Sequence, residues 1–429
     1  MNPFEQKVEP LEKTLEDFEC LYPKSYNKYE TNPYTKTRVI LMNGTEVEAV
    51  FFSHQFSRNC MDNNLRRELA LLRRVEQQQQ KKIINLKPIN ENILESTIAY
   101  EQLAVDLTAR LAKNEPNHNV KAALDFALLE DFDHLYRYSN LLEMDYGVHA
   151  ENLVGRYTEI MPARPTIAHH RHPFDTIRHP IGKDDALITK LNVNIITAAE
   201  QQTMNYYMNV GSYYTSDLGR RLYQEIGMVE EDHVTHYGSL LDPKMTWLEN
   251  LLMHQYTECY LYYSCYKEET DPYIKRVWEC FFEKEVAQLH KAAELLEKYE
   301  CKNYKEVLGC DGEFPELLSL GPNIEYVRKV LECTVNNTAC KEGYENVNDL
   351  PCDADFFKYQ NKVICDVCEV PSHKVINRYI NRYGMDYRFE VAPNPIEELR
   401  NRRCDNPCVG REPLCRPKHE HEDMHHDKW

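Results

Sequence analysis

The sequence predicts a mainly α-helical protein: a four-helix bundle with a duplicated helical hairpin, an extra helical hairpin, a small N-terminal α+β segment and a Cys-rich C-terminal region. Three observations carry this. From about Asn90 to Tyr299 the apolar residues recur at helical period, with interruptions mainly where Pro or Gly stands. One long interruption, EIMPARPTIAHHRHPFDTIRHPIG, is too rich in prolines and histidines to continue a helix and reads as a crossover. Acids and histidines fall on stripes that should face the core, and they do so twice at one offset. At 429 residues and 42% hydrophobic content the chain can bury a large core, enough for two or three domains at roughly 150 residues each.

The elements follow in order. Residues 1–88 form an N-terminal segment in which RVILMNGTEVEAVFF (Arg38 to Phe52) holds two β-prone runs around Asn43-Gly44, a pair suited to a hairpin turn. A polar helix, NNLRRELALLRRVEQQQQKKIINL, comes next, its Arg and Lys groups reading as a solvated face. Residues 89–300 read as the helical domain, six helices in three successive hairpins with breaks near Asn117, Gly147 to Gly182, Gly211 to Asp217, Asp242-Pro243 and Asp271-Pro272. Its chemistry lies in 89–241, and 245–300 is the extra hairpin. Residues 301–415 shift to short helical pieces, turns and cysteines, and 416–429 (KHEHEDMHHDKW and its flank) reads as a disordered, His-rich tail.

Composition narrows function. A formal charge of −18 argues against an electrostatic grip on nucleic acid or an anionic membrane, since both need a basic surface. No apolar run approaches the ~20 residues that span a bilayer, and the start lacks a signal-peptide layout, so the cytoplasm is the expected compartment. There, fifteen cysteines at scattered spacing read mostly as free thiols or metal ligands. No phosphate-cradling glycine motif and no nucleophile-base-acid set appears.

Steps of three and four through EIGMVEEDHVTHYGSLL align Leu222, Ile226, Glu230, His233 and Tyr237 on one helix face. A lone carboxylate on that face costs several kcal/mol unless something compensates it, and a divalent cation is one such partner. Glu200 lies on the stripe of the helix before. Upstream, Glu101 joins Leu94, Ile98 and Val105, while Asp131 and His134 join Leu124, Leu128, Tyr138 and Leu141. The differences 200 − 101, 230 − 131 and 233 − 134 all equal 99, and the surroundings match: Glu101-Gln102 with Glu200-Gln201, and Tyr138, Leu141, Leu142 with Tyr237, Leu240, Leu241. This pattern reads as an internal duplication.

With these residues the chain resembles the ferritin-like di-metal carboxylate superfamily, which includes rubrerythrins, bacterioferritins and manganese catalases, over about Asn90 to Leu241. That family takes one Glu from each of two helices and a Glu-x-x-His from each of two others, and its bundles use a long crossover. The resemblance implies the metal ligands Glu101, Asp131, His134, Glu200, Glu230 and His233 and two metal ions, iron being the expected metal and manganese the alternative. Asp131 departs from the usual Glu, and Glu130 is the alternative ligand. Asp106 and Asn205, each five residues after a ligand Glu, are candidates to orient the histidines or, equally, to pair helices. Tyr138 and Tyr237 read first as bundle-filling tyrosines and second as phenols beside the metals.

The remaining motifs say less. Glu258 begins what resembles a third copy, but Gln288 stands thirty residues later and Ala287 three before His290, so a metal site is not expected there. Glu283 and Glu285 read as solvated, Cys259, Cys265 and Cys280 as buried, and the hairpin itself as packing against the bundle or forming an oligomer surface. His169, His170, His172 and His179 of the crossover read chiefly as exposed, with a secondary metal site or a proton route as the alternative. Cys365, Cys368, Cys404 and Cys408 offer zinc or iron ligands, with free thiols an equal reading because the second pair is spaced by three residues and not two.

The function expected from all this is a di-metal oxidoreductase acting on peroxide or dioxygen, or oxidising a small substrate. Its partners would be a small-molecule oxidant or substrate and an electron-donor protein, with a homo-oligomer also in play. The alternative is metal storage, or a structural bundle, without turnover.

Overall fold

The protein is described here from a computed structural model covering residues 1–165, 172–388 and 392–405. It is mainly helical. The long helices are α1 (Pro33–Asn59), α2 (Asn63–Ile84), α3 (Ile93–Asn114) and α4 (His118–Tyr146), and then, after the short α5 (Ala150–Leu153), α6 (Leu187–Gly211), α7 (Asp217–Gly238), α8 (Trp247–Glu268) and α9 (Pro272–Glu300). Shorter pieces follow as α10 (Tyr304–Leu308), α11 (Ile324–Thr334), α12 (Asp355–Ile364) and α13 (Pro371–Tyr383). Among the described residues the one sheet is the antiparallel pair β1 (Asn337–Cys340) and β2 (Gly343–Asn346). No helix among them is long and apolar enough to cross a membrane.

The helix starts carry chemistry visible in the sequence. Asn92 and Thr246 build capping boxes with Glu95 and Glu249, and Asp271 caps α9 ahead of Pro272. The Asn117 side chain receives the backbone N–H groups of Asn119 and Val120. Gly147 ends α4 in the left-handed conformation at φ 66°, where a residue without Cβ meets no strain.

The long helices pair as hairpins α1/α2, α3/α4, α6/α7 and α8/α9, and the hairpins assemble into two groups of four. The α3/α4 and α6/α7 pairs face each other through α3 against α6 and α4 against α7. The α1/α2 and α8/α9 pairs do the same through α1 against α8 and α2 against α9. Helices α1, α3, α6 and α8 form the seam between the groups. The extra hairpin therefore completes a second bundle with the N-terminal helices.

This arrangement overturns the N-terminal β-hairpin. Arg38 to Phe52 lies within α1, and no strand forms in the N-terminal segment. Asn43 and Gly44 sit inside the seam: Asn43 Nδ2 donates to Gln202 Oε1 at 3.2 Å, and a Cβ at Gly44 would meet that oxygen at 2.6 Å. The Gly here serves close helix approach. Packing on α2, α3, α6 and α8 overrides the β preference of its Val, Ile and Thr residues.

The C-terminal region lies against the α3/α4/α6/α7 group. Helix α11 packs on α3 and α4, and α13 on α4 and α7. The N-terminus of α13 is held by Glu225 of α7, whose two oxygens take the Ser372 amide and hydroxyl at 2.8 Å each, a carboxylate at the positive end of a helix. Twelve of the described cysteines are free, as expected of most of them, and Cys352 is disulfide-bonded.

Candidate metal centre

Four helices each deliver carboxylate or imidazole groups to the middle of the α3/α4/α6/α7 group. Glu101 comes from α3, Asp131 and His134 from α4, Glu200 from α6, and Glu230 and His233 from α7; all six are at most 1% exposed. On a helix, positions three apart share a face, so each acid-x-x-His pair points inward together. The structure brings all six residues into one cluster that could bind metal.

They fall into two overlapping sets. Donor atoms of Glu101, Asp131, His134 and Glu230 lie within 4.8 Å of one another, and so do those of Asp131, Glu200, Glu230 and His233. Asp131 and Glu230 belong to both sets, each set adds one Glu and one His, and the two halves follow the duplicated hairpins. Glu230 spans the pair: its Oε1 lies 3.1 Å from His134 Nδ1 and its Oε2 3.2 Å from His233 Nδ1. The two imidazole centroids are 6.3 Å apart.

The cluster is poorly satisfied by protein alone. Both oxygens of Asp131 and of Glu200, Glu101 Oε2 and His134 Nε2 are buried without a close hydrogen-bond partner. Burial of this kind is costly for polar groups, so atoms in such number converging on one point fit a cation. Charge tells the same story. Burial and the neighbouring acids push Glu101 and Asp131 well above the usual carboxyl range, and burial takes Glu200 up to about 7. Glu230 is pushed up by burial too, but the nearby His134 and His233 outweigh this and hold it at about 2. Burial would lower the His233 imidazole, yet the charge of Asp131 and the contacts with Glu200 and Glu230 carry it well above its ordinary value.

These shifts set a pH dependence for the metal-free protein. Raised carboxyl groups bind protons in the folded chain that the unfolded chain releases above ~4.3, so their stabilisation fades as pH rises, for Glu200 through about 7. Raised His233 has the same sign above ~6.5. Glu230 acts oppositely, but only as pH falls below ~4.5 toward about 2. A chelator-stripped sample should therefore melt at progressively lower temperature from pH ~5 to ~8. Metal competes with protons for these groups, so the gap to the loaded protein should widen over that range. Thermal unfolding at stepped pH checks this, and a gap independent of pH would count against the cluster as a metal site.

Groups around the cluster fix its geometry. Tyr207, seven residues after Glu200, donates its hydroxyl to Glu101 Oε1. Glu130 does not join either ligand set. Its Oε2 lies 3.3 Å from His233 Nε2, and its Oε1 takes a 2.8 Å bond from Arg164, whose guanidinium also reaches the Phe126 and Thr334 carbonyls at 2.7 Å each. Glu130 thus orients His233, the role expected of Asp106 and Asn205. Asp106 is occupied elsewhere: it receives the hydroxyls of Tyr34 and Thr158, tying α3 to α1 and to the crossover. The Asn205 Nδ2 is buried without a partner. The position of Arg164 was not legible, because it lies in the irregular Pro-rich crossover where no period applies. Changing Glu130 to Gln should leave the fold intact and weaken metal binding by ~10–100-fold. Competition with a calibrated chelator measures this, and an unchanged affinity would remove Glu130 from the site.

Tyr138 and Tyr237 are fully buried with hydroxyls lacking a partner, the Tyr237 ring 6.2 Å from that of His233. His179 is exposed and pairs with Glu342, and His172 caps a short turn; neither belongs to a ligand set. His169, His170, Cys408 and the 416–429 tail lie outside the described residues. Among those described, no cysteine enters a set of three or more converging ligands, Cys365, Cys368 and Cys404 included. Cys259 and Cys265 are buried, whereas Cys280 is exposed. Glu285, expected in solvent, is fully buried, while Glu283 is exposed.

A surface groove of about 510 Å³ between α6 and α7 has Tyr207, Tyr223, Gly211, Gly227, Met208 and Met228 in its walls. Tyr207 links it to the cluster through its bond to Glu101. Comparison of the chain with protein-family models, with curated proteins and with solved structures finds no match.

Proposed function

We propose that the six clustered residues hold two iron ions in a ferritin-like bundle and that the protein is an oxidoreductase acting on dioxygen, peroxide or a small oxidisable substrate. One observation carries this reading: the two ligand sets share Asp131 and Glu230, as two metal positions bridged by a carboxylate pair would require. When bound, such a metal pair supplies electrons to an oxidant or withdraws them from a substrate. The chain's own residues do the rest. Glu101 and Glu200 bind from opposite ends, His134 and His233 complete the two halves, and Glu130 with Arg164 keeps His233 in orientation. Bulk water is excluded by the buried apolar core of this helix group, in which Leu128, Leu135 and Ile226 lie one turn from ligand positions on α4 and α7. The Tyr207 hydroxyl holds a proton at Glu101 Oε1, on the side facing the α6/α7 groove, and that groove suits a small oxidant or substrate. A protein electron donor would restore the reduced state.

Elemental analysis of anaerobically purified protein, followed by exposure of the ferrous form to peroxide and to oxygen with an excess of small reductant, tests the proposal. Repeated oxidation of the reductant, lost in Glu200→Gln, supports an oxidoreductase. A single oxidation of bound iron without turnover would favour storage, and absence of iron and manganese would overturn the site.

A further inference from the structure

The second group of four helices repeats the plan of the first. In α3/α4 and α6/α7 an acid is followed thirty residues later by another acid and three further by His. The same register runs through Glu46, Glu76 and Gln79 on α1 and α2, and through Gln255, Glu285 and Gln288 on α8 and α9. The hairpin spacing is also kept, since 101 − 46 and 255 − 200 both equal 55. The tyrosine contact recurs as well: Tyr207, seven after Glu200, donates to Glu101, and Tyr262, seven after Gln255, donates to Glu46. The third copy in the sequence therefore begins at Gln255 and not at Glu258, which adds a further acid one turn on.

Both histidines are replaced by glutamine in this copy, and the acids remain in the interior. Glu46, Glu76, Glu258 and Glu285 are at most 2% exposed. Each has one oxygen anchored. Gln79 Nε2 donates to Glu46 Oε1 at 3.1 Å and Glu285 Oε1 at 2.6 Å, and Gln255 Nε2 to Glu76 Oε1 at 2.7 Å and Glu258 Oε2 at 2.8 Å. Gln288 adds a 2.8 Å bond to Glu285 Oε1. The second oxygen of every one of these acids is buried without a partner, and so are the amide oxygens of Gln255 and Gln288. Donor atoms of Glu46, Glu76 and Glu285 lie within 4.8 Å of one another. Among the described residues, Tyr262 and the glutamine amides donate to these carboxyl groups, and the acids otherwise lie against one another, Glu46 with Glu76 and Glu258 with Glu285, with no Lys or Arg ion-paired to them.

We propose that this second cluster binds a hard divalent cation of the Mn²⁺, Mg²⁺ or Ca²⁺ class through Glu46, Glu76 and Glu285, with the Glu258 carboxylate beside them adding to the negative charge. Every available donor is oxygen, and carboxylates with amide oxygens suit hard cations, whereas the first cluster adds imidazole nitrogen. The glutamine N–H groups fix the outer oxygens as outer-shell partners do in metal sites. The cation would join α1, α2, α8 and α9 at their centre and does not depend on the identity or activity of the first centre.

Manganese is the probe. Full-length protein carrying Glu101→Gln and Glu200→Gln, stripped by chelator, is titrated with Mn²⁺ while the electron paramagnetic resonance of free Mn²⁺ and the thermal midpoint are followed. It should take up about one Mn²⁺ per chain and melt higher on binding. Adding Glu46→Gln and Glu285→Gln should abolish both effects while iron loading of an otherwise wild-type chain with that pair stays unchanged. If the acidic pair proves needed for folding, Glu258→Gln should weaken Mn²⁺ uptake at least 10-fold. No uptake and no thermal shift in the first variant, with helicity intact, overturns the proposal; so does uptake that survives loss of Glu46 and Glu285 or is indifferent to Glu258.

Discussion

On the di-metal reading proposed above, Glu230→Gln is expected to abolish metal binding at both positions, whereas Glu101→Gln and Glu200→Gln should each remove about half of the bound metal. The asymmetry follows from membership: Glu230 belongs to both ligand sets, Glu101 and Glu200 to one each. Glu230 also lies within 3.1 and 3.2 Å of the two histidines, which against the push of burial pull its carboxyl below the usual range, while burial pushes the other acids of the cluster up, so its charge is the most readily available to an incoming cation. The amide keeps the shape of the side chain and removes that charge. Its effect should exceed the ~10–100-fold that loss of an outer-shell partner costs. Iron per chain, measured beside circular dichroism to confirm the helices, decides the matter. Wild-type iron in Glu230→Gln, or equal losses in all three variants, would remove the bridging role and with it the two-metal arrangement.

How much of this was legible depends on period and repetition. The six clustered residues could be read because each sits on an apolar stripe and the offset of 99 ties the two hairpins together. The second copy was hidden for a physical reason. Glutamine on a core stripe carries no charge to draw attention, and Glu258, one turn from Gln255, gave a false register that ended on Gln288. Helix α1 was misread because its Asn43-Gly44 pair is a turn signal only when solvent lies on one side, and here helices surround it. On α2 the Arg and Lys groups read as a solvated face, yet Gln79 of the same helix is fully buried and hydrogen-bonds two glutamates. Long-range partners such as Glu130 with Arg164 leave no periodic trace, because one of the two lies in a segment without regular structure.

The same limit applies to the other face of α4, where the largest stability effect is expected. Asp133 and Arg137, one turn apart and fully buried, bond toward the C-terminal region and not to the six-residue carboxylate–histidine cluster. Arg137 Nη2 donates to Asp133 Oδ1 at 3.1 Å, and its Nη1 and Nη2 reach the two oxygens of Asp405 at 2.8 and 3.2 Å. Asp405 is bonded in turn to His373 of α13, and Arg137 with His373 holds its carboxyl far below the usual range against the push of burial. One guanidinium thus neutralises two interior acids and fastens the layer that covers α4 and α7. Arg137→Leu removes the cation and leaves both acids behind, which should cost about 3–5 kcal/mol, since an uncompensated buried charge dominates the loss. Replacing Asp133, Arg137 and Asp405 together by apolar residues of similar volume should recover most of that, because a buried ionic set and a well-packed apolar one are often close in stability. Denaturant unfolding of the single and triple variants measures both. A single variant within ~1 kcal/mol of wild type would place the network at a site open to water, and a triple variant as unstable as the single would mean that packing, not charge, is what Arg137 supplies.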